Sequence, residues 1–477
     1  MKYIDALKKY NEGKDRWCTP RKGTVDYLKI QKMMKEKASA ASASAASASS
    51  PIKKVPIKKP PVKKVPVVKK VPVVKKVPVV KSPIKKPPVK KVPVVKSPVK
   101  KMSPKRASSL SPRTKFYNAN LIQRFLKNKL ILTKNNLDTR VQRYQLIKTR
   151  LDKITDTDCL TKKMFGQNKG YTLNGLVNLE KKIGSDSVYG VIYLSSMPHL
   201  LGSYPIASKL MKITPSNVAE TKMNEWITQK LLIPKQSKHF VMMYKATRCP
   251  VAQSKANNLL PTEQLVNYNE LCDGDISSLM KTDVRNNEME MINMAYQSLI
   301  AIATYQNRVG YCHNDTHHGN FLYQINKDYK ESDTGYYHYF CYGTDFYIKS
   351  CKYNICLFDF GLSSPMQTAN NSKIAWDYMK ILYGFVGRKM GGIIDGAMDN
   401  NVNATMEALM SKVIAIMNKF TRGDVDDMFD EIVYEIFEKF RTDTGIFRNT
   451  RPAKVLNKIP YRISKVGDYA KINFGRK

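Results

Sequence analysis

From about Phe116 to Lys477, apolar residues recur at spacings that predict regular elements. Leu121, Phe125 and Leu132, then Val141, Tyr144, Ile147 and Leu151, fall three, four or seven apart, as one face of a helix requires. Ala219, Met223, Trp226 and Leu231 mark a second amphipathic helix within Val218–Leu232, and Ile292, Ala295, Leu299 and Ile302 a third. Short apolar runs predict strands at Phe240–Tyr244 and Tyr353–Phe358, and a strand–turn–strand at Ile183–Tyr193. Between Asn326 and Lys352, Tyr329, Tyr336, Tyr337, Tyr339, Tyr342 and Tyr347 predict a β-hairpin with paired aromatics. Aromatics interleaved with lysine also suit stacking on nucleic-acid bases, which is the alternative for this stretch. After Gly391 the chain reads as helical, at Met406–Phe420 and Met428–Phe440, with no chemistry of its own.

The first 115 residues are different. Residues 1–37 form a short basic element, helical in part, with Arg16-Trp17-Cys18-Thr19-Pro20-Arg21-Lys22-Gly23 as a candidate docking cluster. Residues 38–115 open with an Ala/Ser run and continue as a Lys-Lys-Val-Pro-Val-Val repeat, clearest from Lys63 to Lys81. A proline every few residues fixes φ and removes amide donors, and paired lysines repel, so an extended, disordered cationic tail is predicted.

Charge sharpens that picture. The net charge is +42, and residues 51–115 supply roughly 22 basic side chains and no acidic one. Lysines along an extended chain follow phosphates and release counterions, so DNA or RNA is the expected partner of residues 51–115. A charged spacer is the alternative. Ser82-Pro83, Ser97-Pro98, Ser103-Pro104 and Ser111-Pro112 punctuate the tail, and phosphate added there would weaken polyanion binding.

The eight cysteines contain no CxxC pair, which argues against a zinc site of the usual spacing. Their scatter predicts a reducing compartment rather than a disulfide framework. Met1–Glu36 is charged throughout, unlike a signal peptide. Val188–Ser208 carries Pro198, Pro205, Gly190 and Gly202, and Met291–Asn307 is short and polar, so no membrane insertion is expected.

The strongest chemical signal is His313-Asn314-Asp315-Thr316-His317-His318-Gly319-Asn320, followed by Leu357-Phe358-Asp359-Phe360-Gly361. Phosphoryl transfer assisted by Mg2+ needs oxygen ligands for the metal, a carboxylate aimed at the acceptor hydroxyl, and a cation on the nucleotide phosphates. Asp315 suits the carboxylate, and Asn320 and Asp359 suit the metal. These two motifs resemble the catalytic loop H-x-D-x-x-x-x-N and the D-F-G triplet of the protein-kinase superfamily. Ile183-Gly184-Ser185-Asp186-Ser187-Val188-Tyr189-Gly190-Val191 resembles its glycine-rich loop, although Asp186 replaces the middle glycine and the spacing is one residue long. Ile206-Ala207-Ser208-Lys209 has the V-A-x-K form, and Ala375-Trp376-Asp377-Tyr378 is similar to the helix that anchors the catalytic loop.

The resemblance implies an α+β, bilobal fold. Residues 116–159 would be a basic helical lead-in, 160–268 a small β-rich lobe and 269–477 a larger helical lobe. It also implies ATP and Mg2+ as cofactors. Lys209 pairs the phosphates with a helix carboxylate, for which Glu225 is the candidate and Glu220 the fallback. Asn269–Ile276 resembles a kinase hinge, with backbone groups near Glu270 and Cys272 bonding adenine. Asp315 is the catalytic residue, and Asn320 and Asp359 are the metal ligands.

Departures from the family are equally visible. Asn314 stands where many kinases have the arginine that reads a phosphorylated activation loop, which implies activity without that modification. His317 stands where most serine/threonine kinases have lysine, and resembles both haspin-like and aminoglycoside-kinase-like enzymes. Few residues separate Gly361 from Trp376, so the platform that holds a peptide substrate is short or missing. Over about residues 160–390 the chain resembles the serine/threonine protein kinases of large nucleocytoplasmic DNA viruses, of the iridovirus type, and its basic tail is similar to theirs in composition. That implies a protein substrate and an intracellular site of action, in the host cytoplasm or nucleus or in the virion. A small-molecule kinase and a non-catalytic scaffold on nucleic acid are the rival readings.

Overall fold

The side chain of Asn136 accepts a hydrogen bond from the Thr139 amide and starts α1 (Leu137–Leu151). Its buried side is the predicted one, with Val141, Tyr144, Ile147 and Leu151 in the core. The computed structural model describes residues 128–187, 190–200, 203–249, 263–386, 400–464 and 474–475, with four isolated positions before them. The basic repeat and the Arg16–Gly23 cluster lie outside the described residues, as do Leu121 and Phe125.

The chain is mixed α+β, with one large antiparallel sheet. Its strands are β1 (Thr161–Phe165), β2 (Asn168–Leu173), β3 (Val177–Ser187), β4 (Gly190–Met197), β5 (Tyr204–Lys212), β6 (Met243–Cys249) and β7 (Gln264–Asn269). Their spatial order is β1-β2-β3-β4-β5-β7-β6. The predicted strand–turn–strand is the β3–β4 pair, with Ile183 opposite Ile192 and a register irregularity before Ser187 meets Gly190. Between β5 and β6 runs α2 (Pro215–Ile227), with Thr214 as its cap and proline in its first turn. It continues as a π-helical turn through Leu232. The strand expected at Phe240–Tyr244 begins only at Met243, because Phe240 leaves the sheet to bridge Leu357.

The second half starts with β8 (Gly274–Asp275) and α3 (Ile276–Leu279), then α4 (Glu288–Thr304), whose predicted face is buried at Ala295, Leu299 and Ile302. Short strands come next: β9 (Tyr311–Cys312), β10 (Phe321–Ile325), β11 (Tyr336–Cys341), β12 (Thr344–Lys349), β13 (Tyr353–Leu357) and β14 (Ser364–Pro365). The helices α5 (Asn371–Phe385), α6 (Asn400–Thr421) and α7 (Met428–Glu435) and the short β15 (Tyr461–Arg462) complete it. The tyrosine-rich insertion is the β11–β12 hairpin, extended by β15 in parallel. Tyr339 stacks on Phe346 and His338 on Tyr347, and Tyr337, Tyr339 and Tyr347 are buried. Those rings are committed to packing, which removes them from stacking on bases.

One core runs from α1 through the sheet to α6, so α1 is packed into the same core as the strands and helices after it. A small satellite of Val241, Cys356 and Phe358 is flanked by Ile192, Cys272 and Leu322. The expectation of reduced, unpaired cysteines is corrected at one place. The approach of the segment before β1 to the end of β6 brings Cys159 and Cys249 into a disulfide, with Cα atoms 4.8 Å apart across 90 residues of sequence. Cys272, Cys312, Cys341, Cys351 and Cys356 are free. No described helix is long and apolar enough to cross a membrane.

Candidate active site

Lys209 lies in the middle of β5, opposite Ile192 of β4 and Asn267 of β7. It is 2% exposed, a position an ammonium tolerates only with partners. It has two: Nζ donates to Glu220 Oε1 at 2.6 Å and to Asp359 Oδ1 at 2.9 Å. Burial lowers the affinity of Lys209 for its proton, but the two carboxylates outweigh it and raise the pKa. The assignment of Glu225 is therefore corrected. Glu225 is exposed, whereas Glu220 is fully buried. Helical spacing explains the choice, since Glu220 shares a face with Met223, Asn224 and Ile227, all buried, and Glu225 lies off that face. The same spacing read from the sequence would have favoured Glu220.

The His313–Asn320 segment is tied to its surroundings at nearly every residue. The Asp377 carboxylate, on α5, accepts from the His313 amide at 2.7 Å, the Asn314 amide at 2.8 Å and Gln306 Nε2 at 3.1 Å. Burial pushes the Asp377 carboxyl up to about 6, against the pull of those three donors. The Asp377 carbonyl accepts from Thr316 Oγ1 at 2.6 Å. The His313 ring meets the Phe358 carbonyl at 3.0 Å, and burial lowers its pKa to about 4, so it is neutral near pH 7. Asn314 adopts φ +64°, and its side chain donates to the Leu362 carbonyl at 2.8 Å and Ser364 Oγ at 3.0 Å. This short amide joins the loop directly to the segment after Gly361.

Asp315 is only partly exposed, at 26% of its side chain. Asn320 Nδ2 donates to its carbonyl at 2.9 Å and to Oδ2 at 3.1 Å. Lys380 Nζ, from α5, lies 2.5 Å from Oδ1, and His317 Nε2 lies 3.5 Å from Oδ2. Burial alone would raise the Asp315 pKa, but His317 and Lys380 together hold it well below the usual carboxylate range. Lys380 was not anticipated from the sequence.

Asp359 sits in the left-handed region at φ +61°, a conformation seen where surrounding contacts over-determine the backbone. Its carboxylate accepts from the Gly361 amide at 3.3 Å, besides Lys209. Burial works against its charge, and Lys209 overcomes it and lowers the pKa. Phe360 is locked between Tyr305 (centroids 5.0 Å apart, stacked), His313 (5.5 Å) and Phe240 (6.5 Å). The Phe358 amide donates to the Asn320 carbonyl at 3.0 Å, which joins the turn holding Asp359 to the strand following the catalytic loop. Lys209, Asp315, Asn320 and Asp359 thus belong to one connected constellation.

The glycine-rich turn is described at its two ends. Gly190 has φ +155°, and a Cβ there would meet Met211 Cγ at 2.7 Å and the Leu210 carbonyl oxygen at 2.9 Å. Gly184 has φ +74° with open space around it. Ile183 and Val191 are half-buried. Ser185, Asp186 and Ser187 continue β3, whereas Val188 and Tyr189 lie outside the described residues. Ile192, Leu322 and Cys272 pack against the buried Phe358 in the satellite apolar cluster.

The hinge assignment needs a partial correction. The Glu270 amide is used by the Met242 carbonyl at 2.9 Å. Its carboxylate meets Arg140 Nε at 3.1 Å and Arg143 at 3.4 Å. Both arginines come from α1, and Arg140 also donates to the Lys238 and Phe240 carbonyls. The Glu270 carbonyl and the Cys272 backbone are what remain for a ligand. Arg140 and Arg143 escaped sequence analysis, because basic residues in a basic stretch read as solvated.

Among the described residues no group of three or more His, Cys, Asp or Glu could hold a metal. Asp359 and Asn320 offer two hard oxygens, and Asn320 spends its Nδ2 rather than its carbonyl on Asp315. Mg2+ commonly binds through one or two such side chains plus substrate phosphates, so the donor set fits it. A cavity of about 350 Å3 lies elsewhere, bounded by Asn136, Tyr337, Lys454 and Tyr461, and none of these constellation residues lines it. No protein-family model matches the chain, and no curated protein is significantly similar to it.

Proposed function

We propose that the chain is an ATP- and Mg2+-dependent phosphotransferase with a bilobal, protein-kinase-like fold, acting on serine or threonine hydroxyls of proteins. The observation that carries the reading is Lys209, buried and shared between Glu220 and Asp359, beside the Asp315–Asn320 pair. Lys209 pairs the α- and β-phosphate oxygens, with Glu220 fixing its position. The apolar group of Ile192, Cys272, Leu322 and Phe358 receives the adenine. Asp359 and Asn320 hold Mg2+, which supplies charge against the phosphate oxygens. Asp315 takes the proton of the acceptor hydroxyl. The acceptor oxygen bonds to the γ-phosphorus as its bond to the β–γ bridging oxygen breaks, and ADP leaves.

Two further features belong to the proposal. The cationic repeat 51–115 tethers the enzyme to DNA or RNA, and the resemblance to viral kinases goes with action inside an infected cell. One observation favours a second reading for the acceptor. From β14 the chain enters α5 after a single short turn, Met366–Thr368, with little room for a peptide platform. A small-molecule hydroxyl is the alternative acceptor.

The test is transfer from [γ-32P]ATP with Mg2+, on the chain itself and on a generic basic protein, against Asp315→Asn. Label on serine or threonine that vanishes in the variant supports the proposal. Label found only in a metabolite pool supports the second reading. ATP binding without any transfer refutes both in favour of a scaffold.

A further inference from the structure

Among the described residues, Asp315 has a lysine partner that comes from another element. Lys380 stands three residues after Asp377 on α5, one turn along the same helix face. Its Nζ is 2.5 Å from Asp315 Oδ1, and the two side chains are 20% and 26% exposed. This pair is unlike the surface ion pairs elsewhere in the molecule, such as Arg422–Asp424, exposed at 66% and 55%. Asn320 and His317 approach the other oxygen, Oδ2. Each oxygen of Asp315 therefore has a donor, and α5 holds both the loop backbone, through Asp377, and its carboxylate, through Lys380.

Resting on the reading above, we propose that Lys380 is a positioning residue for phosphoryl transfer, which holds the Asp315 carboxylate in its working orientation from the α5 side. Asp315 is the group that meets the acceptor hydroxyl, and Lys380 acts through it. With Oδ1 fixed from the α5 side and Oδ2 from the loop side, the carboxylate plane has little freedom left. Loss of that restraint misaligns the base without touching the nucleotide site at Lys209. The signature is a fall in kcat with KM for ATP unchanged, which a generally loosened fold does not produce.

Lys380→Met retains the stem and removes the ammonium. The expected result is a fall in kcat of about 100-fold, the scale of a misplaced catalytic group, with KM for ATP and the thermal midpoint near wild type. Lys380→Cys, alkylated with 2-bromoethylamine, rebuilds a lysine-like ammonium, and wild type given the same treatment controls for the other cysteines. Recovery of at least one tenth of wild-type kcat in that variant supports the role. A Lys380→Met enzyme within about threefold of wild type, or a Lys380→Cys enzyme that alkylation does not rescue, overturns it. A wild-type chain that transfers no phosphoryl group overturns the phosphotransferase reading itself, so the two failures are told apart.

Discussion

Arg140 is 1% exposed, and its guanidinium is fully employed. It meets both oxygens of Glu270, the Lys238 carbonyl at 2.8 Å and the Phe240 carbonyl at 2.6 Å. Arg140→Met keeps the apolar stem and removes the charge. Glu270 would keep Arg143 at 3.4 Å and the Met242 amide at 2.7 Å, still inside the protein. Removing one partner of a buried ion pair costs about 3–5 kcal/mol, since the other charge is stranded. Two carbonyls losing their donor add about 1 kcal/mol each, and Arg143 offsets part of the total. A net loss of about 4 kcal/mol is expected, or about 6 °C in Tm for a folded part of roughly 340 residues. Adding Glu270→Gln removes the stranded charge and should recover about half of that loss.

Acidification gives an independent check on the same pair. Burial would raise the Glu270 pKa, but Arg140 and Arg143 more than reverse it, so the folded value lies below the unfolded one. Its contribution is therefore present above the unfolded pKa and lost as pH falls through the folded value. The stability gap between wild type and Arg140→Met should narrow below about pH 4. Urea unfolding followed by circular dichroism measures each quantity. An Arg140→Met protein as stable as wild type, or a double variant no more stable than the single one, refutes the reasoning.

Three other outcomes are expected. Glu220→Gln should lower kcat/KM for ATP by about 100-fold and Glu225→Gln by less than about twofold, in steady-state kinetics, because Glu220, and not Glu225, is the glutamate bonded to Lys209. Cys159→Ser should cost about 2–4 kcal/mol, and a reductant should bring the wild-type Tm down to the variant's; a midpoint indifferent to reductant would argue against the Cys159–Cys249 bond. The full chain should bind double-stranded DNA with a steep salt dependence that deletion of residues 51–115 abolishes, measured by fluorescence anisotropy at several salt concentrations; no binding by the full chain, or an unchanged slope after deletion, would remove that role from the repeat.

Much of the molecule was legible in the residues alone, and the reason is locality. Apolar spacing within a dozen residues is enough to indicate α1, α2 and α4, because a helix face is a property of its own sequence. His313–Asn320 and Asp359–Gly361 were equally visible, since each gathers its chemistry on one loop. The paired aromatics of β11 and β12 followed from a single short hairpin. Pairings between distant segments were a different matter. Helical spacing favours Glu220 over Glu225 for the buried face, but that this face meets Lys209 follows from the packing of α2 against the sheet. Lys380 is 65 residues from Asp315, and Arg140 is 130 from Glu270, in a chain where lysine and arginine are abundant and most are solvated. Cys159 and Cys249 are likewise 90 residues apart. The sequence by itself determined which elements form and which residue types line the loops. The tertiary structure alone decided which charge meets which, because a buried ion pair depends on how elements far apart in the chain close into one core.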